Sequence, residues 1–215
     1  MTENAAYAAR VSVASVALVD GQAVSIDAAP RLRRDAMANR ERVLAAAVTA
    51  VLREGRQVPM ATIAEEAGVG VGTLYRRYST REALLAALTE RSFEMVRSLA
   101  VEAADRPGAA IAALDWFLDG TIAHRDQLVL PLHGGPSTLS ATATATQAEV
   151  HAAVSRLLHR GRVDGTLRGD LTPRDVIVFG AMLAQPLSNT HGWEDTARRQ
   201  KSLFLAGLSP TLRNP

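Results

Sequence analysis

Beyond residue 34 the apolar residues recur mostly at three- and four-residue steps, a period that belongs to helices and not to strands. Met37, Val43, Leu44, Ala47, Val48, Val51 and Leu52 predict an amphipathic helix from about Arg34 to Arg53, stopped by Gly55. Pro59 restarts the chain into a short helix in which Ile63, Ala64 and Ala67 share one face while Glu65 and Glu66 point away. Gly68 stands where a helix closes in the left-handed conformation that glycine adopts cheaply. After Val69, a turn plug, a second short helix is expected from near Gly70. Ser79-x-x-Glu82 then reads as a capping box opening a third helix, carried by Leu84, Leu85, Leu88, Phe93, Val96 and Leu99 towards Asp105.

The helical period continues beyond Arg106-Pro107-Gly108. Ile111, Leu114, Trp116, Phe117 and Leu118 predict a helix ending near His124, and Pro131 with Gly134-Gly135 breaks the next stretch. Residues 138–146 alternate Thr and Ala and read as loop or frayed helix. Thr146-x-x-Glu149 reads as a cap before Val150, Val154, Leu157 and Leu158, with Gly161 near the stop. Thr172-Pro173 is a strong start signal. The helix after it, Val176 to Ala184, is almost wholly apolar and is expected to be buried, centrally or against a partner chain. A last helix spans about Glu194 to Gly207. Residues 1–30 differ: the first expectation is a poorly ordered or loosely docked extension closed by Pro30, and the alternative is a hairpin about Asp20-Gly21.

Composition supports an all-α chain. Apolar residues make up 47% and aromatics only 4%, so the cores must be built from Ala, Leu and Val in closely packed helices. No apolar run approaches the ~20 residues of a membrane span, so no membrane partner is expected. The absence of cysteine removes disulfides and thiol chemistry and suits a cytoplasmic protein. The net charge of +2 hides a strong asymmetry: residues 31–81 hold ten arginines against five acids, whereas the flanking segments are slightly acidic. That basic block coincides with the helix–turn–helix, as expected of a phosphate-binding module.

The segment Ile63-Ala64-x-x-Ala67-Gly68-Val69 followed by Gly72-Thr73-Leu74-Tyr75-x-x-Tyr78-x-x-Arg81-Glu82-x-Leu84-Leu85 resembles the DNA-binding domain of TetR/AcrR-family transcriptional regulators. The resemblance implies three parts: an extension at 1–30, a three-helix DNA-binding domain at 31–90, and a helical effector-binding and dimerisation domain at 91–215. It implies that Thr73 and Tyr75 reach phosphate oxygens. Arg76 and Arg77 either read guanine or hold phosphate, and Val71 and Gly72 come close to the bases at the helix tip. Pro59 replaces the family's usual Thr or Ser cap, which leaves the backbone N–H of Met60 as the contact there. Tyr78 replaces the usual Phe as a packing residue, and Arg81 replaces the usual Lys as a phosphate-reaching cation. Arg31, Arg33 and Arg34 either extend along DNA or form a solvated tail.

The leading expectation is therefore a homodimeric repressor on double-stranded, palindromic operator DNA, released by an unknown small-molecule effector. The alternatives are a constitutive DNA-binding protein without an effector, and an all-helical enzyme. No nucleophile–base pair, phosphate loop or metal-ligand spacing supports the enzyme, so no catalytic residue, cofactor or metal is expected. For the effector, Trp116, Phe117, His124, His133, His151, Met182 and Gln185 are the large or polar residues in otherwise small-residue helices, where a ligand would find stacking area and hydrogen bonds.

Overall fold

The computed structural model describes the backbone of residues 16–19, 22–25, 28–130, 135–136, 138–186 and 191–210, with side chains from residue 37 onward. Two compact units divide at Arg42 and Val43. In the first, strands β1 (Val16–Val19) and β2 (Gln22–Ser25) pair antiparallel, with Val16 opposite Ser25 and Val19 opposite Gln22. The hairpin alternative is thus the one realised for this segment; residues 20 and 21 lie outside the described residues. Helix α1 (Ala28–Glu54) starts earlier than its apolar repeat predicts. Pro30, expected to close the extension, instead lies in the first turn, where a missing N–H removes no intrahelical bond.

From α1 onward the described residues are helical. Three further helices, α2 (Met60–Glu66), α3 (Val71–Arg77) and α4 (Arg81–Asp105), complete the first core with the end of α1. Val43, Leu44, Ala47, Val48 and Val51 of α1 are buried against Ile63, Ala64, Leu74, Leu84 and Leu88. The cap of α4 is Thr80, one residue later than expected: its hydroxyl accepts from the Ala83 N–H at 3.0 Å. Glu82 therefore sits in the first turn, near the positive end of the helix, without closing a capping box.

Helix α4 continues into a second core, beginning at Phe93 and Val96. There it meets α5 (Ala110–Ala123), α6 (Ala141–Val163), α7 (Pro173–Leu183) and α8 (Trp193–Ala206). Helix α6 starts at Ser140, whose hydroxyl accepts from the Ala143 N–H, and not at Thr146. The Thr/Ala stretch is helical, and its hydroxyls bond back to the helix: Thr144 and Thr146 donate to the carbonyls of Ser140 and Thr142, four residues back. Thr172 caps α7 as expected, and Asp175 closes a reciprocal capping box with it. That helix is not buried all round: Val178 and Met182 are 40% and 59% exposed. Helix α8 is held to α5 by the chain's lone lysine. Burial opposes the charge on Lys201, but Asp115 and Asp119, each 2.6 Å from Nζ, more than reverse this and raise its pKa. No helix among the described residues is long and apolar enough to cross a membrane.

Gly161 lies near the end of α6, as expected, and Leu167 folds back onto the helix there. A Cβ at 161 would lie 2.3 Å from Cδ1 and 2.9 Å from Cβ of Leu167. Gly161→Ala gains about 1 kcal/mol of helix propensity, while overpacking costs about 1–3 kcal/mol. We expect a net loss of stability, measured by urea unfolding. An unchanged midpoint would mean that the Leu167 turn yields freely.

Candidate nucleic-acid interface

Two glycines and two anchors present α3. Gly68 adopts φ +64, and its N–H donates to Glu65 O while Val69 N–H donates to Ala64 O, a paired closure that ends α2 and turns the chain sharply. Val69 packs against the first core, so the turn is plugged as expected. Gly70 caps α3 in an extended conformation, and its carbonyl accepts from Thr73 and Leu74. Leu74 and Tyr78, 1% and 7% exposed, pin the inner face of α3. The other face is free: Val71, Gly72, Thr73, Tyr75, Arg76 and Arg77 are all exposed. Arg76 Nη2 donates to the Thr73 hydroxyl at 3.2 Å, so those two side chains lie together on the outer face. The result is a rod with a cationic, hydroxyl-bearing surface, the shape and chemistry that a major groove accepts.

The remaining expected contacts lie differently. The Met60 side chain is buried in the core, which leaves only its backbone N–H, at the first position of α2, available to an anion. Pro59 supplies no side-chain cap. Arg81 is half-buried, and its Nη1 donates to Gln57 Oε1 at 2.6 Å, tying the start of α4 to the loop before α2. Sequence reasoning missed Gln57, because nothing in a separation of 24 residues marks the pair. Arg31, Arg33 and Arg34 fall within α1, and their side chains lie outside the described residues.

The Tyr78 hydroxyl is buried without a hydrogen-bond partner among the described residues. An unsatisfied buried hydroxyl costs about 1–3 kcal/mol. Tyr78→Phe is therefore expected to raise stability by about 1 kcal/mol in urea unfolding. A loss of stability would reveal a partner for the hydroxyl.

In the second core, Phe93, Phe117, Thr121, Gln147 and Ile177 help to line a mostly apolar cavity of about 40 Å³. Of the expected effector residues, Phe117 alone lines it. Trp116 is half-buried elsewhere, under the Arg106 guanidinium at 4.4 Å from its ring centroid. His124 ends α5 with Nδ1 2.8 Å from Gly120 O, a carbonyl that only accepts, so Nδ1 carries the proton. His151 is half-buried on α6, Met182 and Gln185 are exposed, and His133 lies outside the described residues. The structure does not bring the six described residues together. Large or polar side chains marked them in the sequence, but residue size does not say which helix face looks inward.

Residues 43–88 match the family model of bacterial regulatory proteins of the tetR family. The TetR transcriptional regulator SCO0520 from Streptomyces coelicolor is 31% identical, with 80% of this chain and 99% of that chain covered and a TM-score of 0.51. The TetR regulatory protein from Mycobacterium vanbaalenii is 26% identical over 83% of this chain and 99% of that chain, with a TM-score of 0.58. PfmR from Thermus thermophilus, 18% identical over 78% and 98%, shares the fold with a TM-score of 0.62. No curated protein matches the chain. A helix–turn–helix with an outward, basic second helix, joined by one long helix to a helical core, accords with these likenesses, and the chain belongs to the TetR family of DNA-binding bacterial transcriptional regulators.

Proposed function

We propose that the protein is a homodimeric repressor that grips a palindromic operator through α3 and is released by a small-molecule effector. The observation that carries the reading is the outer face of α3, where Thr73, Tyr75, Arg76 and Arg77 are all exposed while Leu74 and Tyr78 fix the helix from behind. Thr73, Tyr75 and Arg81 set register on phosphates, Val71, Gly72, Arg76 and Arg77 meet base edges or the backbone, and Met60 contributes its N–H. Residues 31–90 serve as the DNA-binding domain and 91–215 as the effector-binding and dimerisation domain; two buried clusters that succeed one another along α4 support that division.

An exposed apolar face supports pairing. Val178, Met182 and Leu203 are 40%, 59% and 56% exposed, and Phe179 stacks on Phe204 with ring centroids 3.9 Å apart, joining α7 and α8 into one surface. Monomers rarely leave such a patch uncovered. A strap supports coupling between the cores. Leu128 and Leu130 belong to the second core, and Val129 between them is buried in the first. Its carbonyl accepts from the Thr89 hydroxyl at 2.9 Å, and its N–H donates to the Ser92 hydroxyl at 2.8 Å. An effector that displaces Leu128 or Leu130 therefore moves Val129 within the DNA-binding core and favours a different spacing of α3.

A second reading, a constitutive binder, is favoured by one observation: at about 40 Å³ the core cavity falls far below the roughly 300–1,000 Å³ of small-molecule sites. Selection of bound duplexes from a random pool tests the main proposal. Enriched sequences are expected to carry two inverted half-sites about one helical turn apart. Enrichment of a single, unrepeated half-site would refute the dimeric repressor.

A further inference from the structure

Outside the buried core, a groove of about 500 Å³ runs between the last turn of α1, the 3-10 turn Arg125–Gln127, and the end of α7. Val51, Leu52, Leu128 and Ala184 give it an apolar floor, and Gln185 and Asp126 stand among its polar groups. Its volume falls in the range of about 300–1,000 Å³ typical of small-molecule sites, and the core cavity falls far below it. Its charge is legible. Arg125 is partly compensated: Nη1 donates to Ile122 O at 3.1 Å and to Glu194 Oε2 at 3.3 Å, a carboxylate it shares with Arg198. Asp126 is exposed and has no partner among the described residues. Both flanking helices reach the groove by their C-terminal ends, the negative ends of their dipoles.

We infer that this groove is a binding site for an organic cation with an apolar body, its ammonium beside Asp126 and its body along Leu52 and Leu128. An anionic ligand of the same shape would meet the unpaired carboxylate and two helix C-termini. The site is distinct from the α3 surface, and its occupancy is measured without DNA, so that it stands or falls apart from the repressor reading.

The test uses three probes of one shape on the full-length protein: 4-phenylbutylamine, 4-phenylbutanol and 4-phenylbutyrate, titrated by calorimetry. Trp193, whose indole N–H donates to Leu183 O beside the groove, offers a parallel fluorescence signal in a Trp116→Phe background. The amine is expected to bind at least tenfold more tightly than the carboxylate, with the alcohol between them. Asp126→Asn should weaken the amine about tenfold and compress its preference over the alcohol. Leu52→Trp, at a residue already 42% exposed, should fill the groove and weaken all three probes at least tenfold. Unchanged thermal melts check that both variants fold. Equal affinity for the three probes, no saturable binding of the amine, or an amine affinity untouched by either substitution would overturn the site.

Discussion

Replacing Thr73, Tyr75 and Arg77 together with alanine is expected to weaken binding to the selected operator at least about a hundredfold. Each side chain is exposed on α3, so the substitution removes surface chemistry and leaves the packing of Leu74 and Tyr78 intact. A phosphate contact made by a hydroxyl or a guanidinium is worth about 1 kcal/mol, and a dimer loses six of them. Even half of that total exceeds the ~2.8 kcal/mol that a hundredfold change requires. The salt dependence should flatten as well, by about one unit of slope for each Arg77 lost from a phosphate. Stability should change by less than about 0.5 kcal/mol for each exposed position. Fluorescence anisotropy over a salt series and a thermal melt measure both; full affinity in the variant would remove α3 from the interface.

The second large effect is at the exposed apolar face. In the proposed homodimer, Val178→Glu combined with Met182→Glu would place four carboxylates in a two-fold interface, each desolvated against apolar neighbours and against its own kind. The dimer is expected to weaken at least about a hundredfold, since four such penalties of even about 1 kcal/mol each exceed the ~2.8 kcal/mol required. Operator affinity should fall with it, because a lone α3 holds only one half-site. Sedimentation velocity reads the oligomer and anisotropy the DNA. A variant that remains dimeric would place the partner contact elsewhere; one that is monomeric yet binds the palindrome at full strength would separate dimerisation from recognition.

The helix–turn–helix was far more legible in the sequence than the proposed effector site, for a physical reason. A helix–turn–helix needs a left-handed residue at Gly68, a plug at Val69 and an inner anchor at Leu74, and only a few residue types satisfy each requirement. Caps were legible where the signal was unique, as at Thr172-Pro173, and misplaced where hydroxyls are neighbours, as between Ser79 and Thr80. Thr146 misled for a related cause: the same hydroxyl that caps a helix also bonds backwards within one. The apolar pattern of α7 predicted a helix buried centrally or against a partner chain, and within one chain Val178 and Met182 are bare. Cavity-lining residues such as Phe93 and Ile177 were invisible as a site, because they are the residue types of any core. The Thr89–Val129–Ser92 clamp and the Arg81–Gln57 bond join positions far apart in sequence, and no local spacing announces them.

Methylation interference on the selected duplex tests the central claim most directly, because guanine N7 lies only in the major groove. Methyl groups at guanines in two clusters about one helical turn apart are expected to block binding, and the Thr73/Tyr75/Arg77 alanine variant should show no selective interference in either cluster. Binding indifferent to every major-groove methyl, with interference confined to the minor groove at adenine, would contradict insertion of α3.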